Sequence, residues 1–156
     1  MQILDQLHWT SGLVPEADCF ADDVETDVVE CRSAEGVLFI IFEGDSTGGT
    51  TTGTVTIDAC DDVTPSNTTA IAFYYRSSTT FDTWGDWTQA TATGFVMPTG
   101  DNQMHQVWVP ASNLAETGYG YVRMAIAETV NDPVDACVLI AVVNPRYQPP
   151  QTTMLT

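Results

Sequence analysis

Two stretches near the middle of the chain show the alternation of apolar and polar residues that is typical of β-strands. They span residues 53–60 and 71–76, and the polar, turn-rich segment 61–68 joins them. Because successive side chains of a strand point to opposite faces, each stretch is predicted to turn one apolar row toward a core. The predicted inward rows are Val55, Ile57 and Ala59 in the first stretch and Ile71, Phe73 and Tyr75 in the second.

The remaining apolar segments predict further strands, separated by turn signals. Residues 37–43 and 134–143 are almost continuously apolar, which is typical of strands that are buried on both faces. Residues 111–117 favour a brief helical turn, and no segment predicts a long helix. A count of seven or eight strands predicts an all-β fold, an antiparallel β-sandwich of the jelly-roll or immunoglobulin-like kind. The other predicted strands are residues 24–32, 94–98, 103–109 and 119–129.

One domain with two extended arms is the predicted organisation of the chain. Its 156 residues are enough to enclose one hydrophobic core. Residues 1–23 have weak periodicity and predict an N-terminal arm, and residues 24–143 carry the predicted sandwich. Residues 144–156 are rich in proline, which cannot continue the interior of a sheet, so a C-terminal arm is predicted there.

The chain is strongly acidic, with 21 aspartate and glutamate residues against four arginines and a formal net charge of −17. A surface of this charge has no general affinity for nucleic-acid backbones or anionic lipid, so we expect no nucleic-acid and no membrane partner. No apolar run approaches the roughly 20 residues that span a bilayer. The N-terminus lacks the basic start and apolar centre of a secretion signal, so we expect synthesis in a cytoplasm.

The candidate catalytic residues do not form a recognisable motif. The two histidines are His8, in the predicted arm, and His105, which we predict to be a half-exposed strand residue. Neither has the sequence context of a nucleophilic triad, and the carboxylates are too numerous to single out a catalytic pair. We therefore predict a protein that is not an enzyme and binds no cofactor. The turn at Asp61 and Asp62 is either a cation site or a solvated acidic turn, and the second interpretation is favoured.

Cysteines and tryptophans give two further candidate features. The four cysteines have no CxxC or CxxH spacing, so a zinc site has weak support and reduced, buried thiols are expected, with Cys19 and Cys31 as the pair that could form a bridge. Trp84 and Trp87 could form a platform on which sugar rings stack. The favoured alternative is that the two rings fill the edge of the sandwich or a subunit contact.

Several motifs in the chain resemble a known group of viral proteins. They are VTIDACDDVTPSNTTAIAFYYR at 55–76, DTWGDWTQATATGF at 82–95, NQMHQVWV at 102–109, GYGYVRM at 118–124 and NPRY at 144–147. With these motifs the chain resembles small proteins encoded among the virion structural genes of tailed bacteriophages. The resemblance implies a virion component, with capsid decoration (a cement protein) as the expected role, and it implies no catalytic or ligand-binding residues.

This resemblance also implies where the protein works and what it contacts. The expected location is the capsid surface, and the expected partners are the major capsid protein and further copies of this chain. Two alternatives remain: a carbohydrate-binding module on the virion surface, and a structural subunit of the tail or of the head–tail connector. The residues predicted to make the contacts are Ile3, Leu4, Leu7 and Trp9 in the N-terminal arm and Arg146, Tyr147, Met154 and Leu155 in the C-terminal arm.

Overall fold

A computed structural model describes residues 6–21, 23–48, 52–130 and 133–143. Within these ranges nearly all regular structure is β, and a 3-10 turn at Ala111–Leu114 matches the predicted helical turn. No helix in the described ranges is long and apolar enough to cross a membrane. The strands are β1 (Leu7–Glu16), β2 (Val24–Glu25), β3 (Val29–Glu30), β4 (Gly36–Ser46), β5 (Thr52–Cys60), β6 (Thr68–Ile71), β7 (Phe73–Ser78), β8 (Thr88–Ala90), β9 (Phe95–Val96), β10 (Met104–Pro110), β11 (Tyr121–Val130) and β12 (Val134–Val143).

These strands form two antiparallel sheets that pack face to face. The first sheet has the order β1-β12-β4-β10-β7-β8. The second has the order β2-β11-β5-β6, with β3 also paired to β11 and β9 to β5. The predicted all-β sandwich is thereby confirmed at the level of its two layers. The described residues form twelve strands rather than seven or eight, because two predicted strands are each divided in two and because β1 and β8 are additional. For example, β6 and β7 separate at Ala72, where the chain passes from the second sheet to the first.

The core lies between the two sheets and contains the inward rows predicted from the sequence. Val55, Ile57 and Ala59 are fully buried in β5, and Phe73 is fully buried in β7. Each large apolar side chain in such a position contributes roughly 1.5–3 kcal/mol through its removal from water. The same alternation places the inner sides of β4, β10, β11 and β12 in this core, through Phe39, Ile41, Val107, Val109, Val122, Met124, Ile126, Val138 and Ile140.

Most of the predicted N-terminal arm is a strand of the first sheet. β1 pairs with β12 along its length, starting from Leu7 opposite Val143, so the prediction of an arm over residues 1–23 is corrected for this segment. The register shifts twice, between Ser11 and Leu13 and again before Glu16. These irregularities interrupt the period of two and explain why the sequence pattern seemed weak. Residues 1–5 and 144–156 lie outside the described residues, so the C-terminal arm stays a prediction.

His105 is fully buried, which corrects the expectation of a half-exposed residue. It alternates with Val107 and therefore belongs to the inner row of β10. Its Nδ1 lies 2.8 Å from the Ser77 hydroxyl oxygen, and its Nε2 lies 3.7 Å from Oε2 of Glu43, which is also buried. The inner side of the first sheet thus contains a buried polar pair, Glu43 and His105. Removing one of the two would leave the other buried without its partner, which costs folding free energy.

Candidate functional site

The strands of the first sheet also have an outer side, which faces away from the second sheet and is unusually apolar. Its central row runs from Leu139 through Ile40 to Gln106 and Arg76 on neighbouring strands. We call this surface the outer face. Its members are Leu7 and Trp9 in β1, Leu38, Ile40 and Phe42 in β4, Tyr74 and Arg76 in β7, Met104, Gln106 and Trp108 in β10, and Cys137, Leu139, Ala141 and Val143 in β12.

Large apolar side chains of the outer face are open to solvent. The exposed fraction is 47% for Trp9, 42% for Phe42 and 45% for Leu139. An antiparallel sheet with one solvated side ordinarily alternates apolar residues inside with polar residues outside. A contiguous exposed apolar surface instead marks a site of interaction. The outer face is therefore the candidate functional site.

Carboxylates lie at one end of this surface rather than among its central residues. Arg76 is the one charged residue among the members of the outer face, although the chain has 21 acidic residues. Exposed carboxylates begin at one end of the sheet, where Asp45, Asp101 and Asp135 lie close to the ends of β4, β10 and β12. The site is thus a largely apolar surface that includes one arginine and has carboxylates at one end. A partner with an apolar centre and basic surroundings would complement it.

At the β7 edge, two tryptophans lie against Arg76. The guanidinium carbon is 4.8 Å from the ring centroid of Trp84 and 4.7 Å from that of Trp87. The loop that carries both rings folds back onto β7, where the amide of Gly85 donates to the carbonyl of Ser77 at 2.9 Å. The structure therefore brings together the two residues predicted as a glycan platform, and Trp87 remains 45% exposed.

Only part of the predicted contact set lies in the described residues. Leu7 and Trp9 are on the outer face, as members of a strand rather than of an arm. Phe42 and Leu139 are not among the predicted contact residues, although the continuous apolar runs that contain them carry a signal. A second sheet can cover only one side of such strands, so an apolar second side has to meet something else. The predicted contacts Ile3, Leu4, Arg146, Tyr147, Met154 and Leu155 lie outside the described residues.

Asp61 holds the turn between β5 and β6. Its carboxylate accepts hydrogen bonds from the Asn67 side-chain amide at 2.9 Å, the Asn67 backbone amide at 3.2 Å and the Ser66 amide at 3.0 Å. These donors stabilise the ionised form, so the pKa of Asp61 is lowered, with the Asn67 side chain as the largest cause. The described residues contain no group of three or more histidine, cysteine, aspartate or glutamate side chains that could hold a metal ion.

The four cysteines are free thiols in different surroundings. Cys19, Cys31 and Cys60 are buried, and burial is the main cause that raises the pKa of these thiols to about 11, about 12 and about 11 respectively. Cys137 is partly exposed and lies on the outer face, opposite Phe42. Cys137 is therefore a natural chemical probe of that surface.

Comparison of the chain with protein-family models, with curated proteins and with solved structures finds no match. The function is therefore inferred from the residues of the site.

Proposed function

We propose that this protein is a structural component of a tailed-phage virion that decorates the capsid and docks onto it through the outer face. The observation that carries the proposal is the largely apolar surface, with Trp9, Phe42 and Leu139 exposed, in a chain of net charge −17. Such a surface supports binding to another protein. The resemblance of the sequence motifs to virion proteins of tailed phages supports a capsid as the larger assembly.

Docking through a sheet face is energetically reasonable. Because Phe42 and Leu139 are already more than half covered, burying the rest of each side chain contributes roughly 1 kcal/mol before the costs of association are subtracted. The backbone under these side chains is held on both sides by neighbouring strands, so little further order has to be imposed on binding. Many identical copies bound across the joints of a shell would add these contacts and oppose outward pressure from packaged DNA.

The carboxylates at one end of the outer face and the net charge of the chain support a specific kind of partner surface. A shell surface with an apolar centre and surrounding lysine or arginine residues would attract this chain and orient it. The same negative charge would keep the protein away from the packaged genome. The proposed partner is accordingly the major capsid protein on the outside of the shell.

One observation favours a second candidate function, binding of carbohydrate. Trp84 and Trp87 lie near each other at the β7 edge, and Trp87 is substantially exposed. Aromatic rings with an open face stack on sugars. A glycan that changes the tryptophan fluorescence, with loss of the change in Trp87→Ala, would favour this function over decoration.

The proposed function is tested by sedimentation. Capsid shells that lack this protein are mixed with increasing amounts of the purified chain and pelleted. We expect saturable co-sedimentation at a fixed number of copies per capsomer. A chain that stays in the supernatant at all concentrations up to tens of micromolar would overturn the proposed function, since about micromolar affinity corresponds to only 8 kcal/mol.

A further inference from the structure

The three arginines in the described part of the chain differ in their partners. Arg32 forms an ion pair with Glu30 at 3.2 Å, and Arg123 forms ion pairs with Asp58 and Glu25. No ion pair joins Arg76 to a described residue, and neither of the two aspartates in the adjacent tryptophan loop, at 82 and 86, is close enough to form one. In a chain with 21 acidic residues this is an unusual arrangement.

Neutral groups hold the Arg76 side chain in place. Its Nε donates to the amide oxygen of Gln106 at 2.8 Å, and its guanidinium lies over the rings of Trp84 and Trp87. These contacts fix the plane of the guanidinium without neutralising its charge. No hydrogen bond to a described residue uses the two Nη groups. The side chain thus presents a fixed pair of donors, which is the geometry that binds a carboxylate through two parallel hydrogen bonds.

We infer that Arg76 binds a carboxylate on the protein surface onto which the outer face docks; this inference rests on the proposed function. Arg76 belongs to the same row of the sheet as Ile40 and Leu139, so a partner that covers those residues also covers the guanidinium. Water is then excluded, and a partner without an anion there would leave a buried charge unpaired. Arg76 therefore favours the one position and orientation of the partner in which a carboxylate meets the guanidinium.

The charge of the chain favours a protein carboxylate over other anions. A net charge of −17 repels polyphosphates such as nucleic acids. A single aspartate or glutamate inside an otherwise apolar surface meets less repulsion, because Asp45, Asp101 and Asp135 lie near the end of the sheet. Asp82 and Asp86, in the tryptophan loop, are closer but form no ion pair with Arg76. An acidic sugar could meet the same guanidinium, and the experiment distinguishes it.

Three variants that each change the net charge by one unit in the same direction test the inference: Arg76→Gln, Gln106→Glu and Arg32→Gln. Gln106→Glu places a carboxylate where Arg76 already donates, so the guanidinium is paired within the chain and is less available to a partner. Arg32 is the matched control, because its guanidinium also lies over an aromatic ring, that of Tyr121 in the second sheet. Binding to shells is measured by sedimentation, and folding is checked by circular dichroism and thermal melting.

We expect Arg76→Gln to weaken shell binding about 30-fold and Gln106→Glu to weaken it about tenfold, while Arg32→Gln binds as the unaltered protein does. If the unaltered protein binds shells and Arg76→Gln and Gln106→Glu bind equally well, the inference of a carboxylate contact is overturned. The proposed function, docking onto the shell, is then unaffected. If the unaltered protein does not bind shells, the proposed function fails and the inference fails with it. Binding of a uronic-acid oligosaccharide that needs Arg76 would overturn the inference in favour of an acidic sugar.

Discussion

The two sheets follow the same alternation, but their outer sides differ in charge. On the second sheet, the outward row of β5 is Thr54, Thr56 and Asp58, and Asp58 lies 3.3 Å from Arg123 on β11. On the first sheet, the corresponding central positions of β4 and β12 are Ile40 and Leu139. The outer side of the second sheet therefore has the polar residues that are ordinary for a sheet face in contact with water. The comparison supports the proposal that the outer side of the first sheet is a docking surface.

Two arginines show the same contrast at the level of single side chains. Arg123 lies between Asp58 and Glu25 and is paired within the chain. Arg76 lies between tryptophans and a glutamine and has no ion pair among the described residues. The first arrangement satisfies a charge within the molecule. The second leaves a positive charge without an ion pair among the described residues, as the proposed contact with a carboxylate requires.

The largest expected effect concerns the inner sides, where the first sheet carries the buried Glu43–His105 pair and the second sheet is apolar. His105→Leu should lower the free energy of unfolding by about 3 kcal/mol, because the buried Glu43 carboxyl loses the imidazole nitrogen that lies 3.7 Å from it, its nearest polar partner. Glu43→Leu combined with His105→Leu should recover most of this loss. Urea denaturation measures both, and a double variant no more stable than the single one would contradict the prediction.

A charge on the outer face is expected to have the next largest effect. Leu139→Asp should weaken shell binding about 100-fold, which is about 2.7 kcal/mol, because an unpaired carboxylate would be buried at the contact. Thr56→Asp places the same charge on the outer side of the second sheet and should leave binding unchanged. Both residues are outside the core, so both variants should fold. Equal loss of binding in the two variants would mean that net charge, rather than the outer face, controls docking.

Removing each arginine in turn separates stability from binding. Arg123→Gln should cost about 1 kcal/mol of folding stability, because half-buried Asp58 loses its ion pair. Arg76→Gln should cost roughly 0.5 kcal/mol, because it removes no ion pair between described residues but loses the partly exposed contacts with Trp84 and Trp87. Thermal and urea unfolding of the two variants measure the difference. A larger loss in Arg76→Gln than in Arg123→Gln would contradict the separation of their roles.

The smallest expected effect is the pH dependence of the β5–β6 turn in the second sheet. Because hydrogen bonds lower the pKa of Asp61 in the folded chain, its contribution to stability is present above the ordinary value of 3.8 and disappears as pH falls through the lower folded value. Asp61→Asn should therefore be less stable than the unaltered chain at pH 6. The difference should shrink below about pH 4. A difference that is constant with pH would mean that the carboxylate charge does not support the turn.

The sequence was sufficient for the layers and the inner rows but not for the site. The alternation around Ile57 and Phe73 predicted both strands and their buried sides, because burial by the opposite sheet imposes a period of two. The continuous run around Ile40 hid the outer face, since periodicity cannot distinguish a strand covered by its own fold from one covered by a partner. Arg76 and Gln106 meet only through strand pairing across 30 residues, which no local pattern reports.

Cys137 provides the most direct measurement of docking. It lies on the outer face, whereas Cys19, Cys31 and Cys60 are buried thiols whose raised pKa values slow their alkylation and make them internal references. Iodoacetamide labelling at pH 8 is followed by mass spectrometry for the free chain and for the chain bound to shells. The account predicts that Cys137 is alkylated in the free chain and strongly protected on the shell. Equal rates of Cys137 alkylation in the free and bound chains would contradict docking through the outer face.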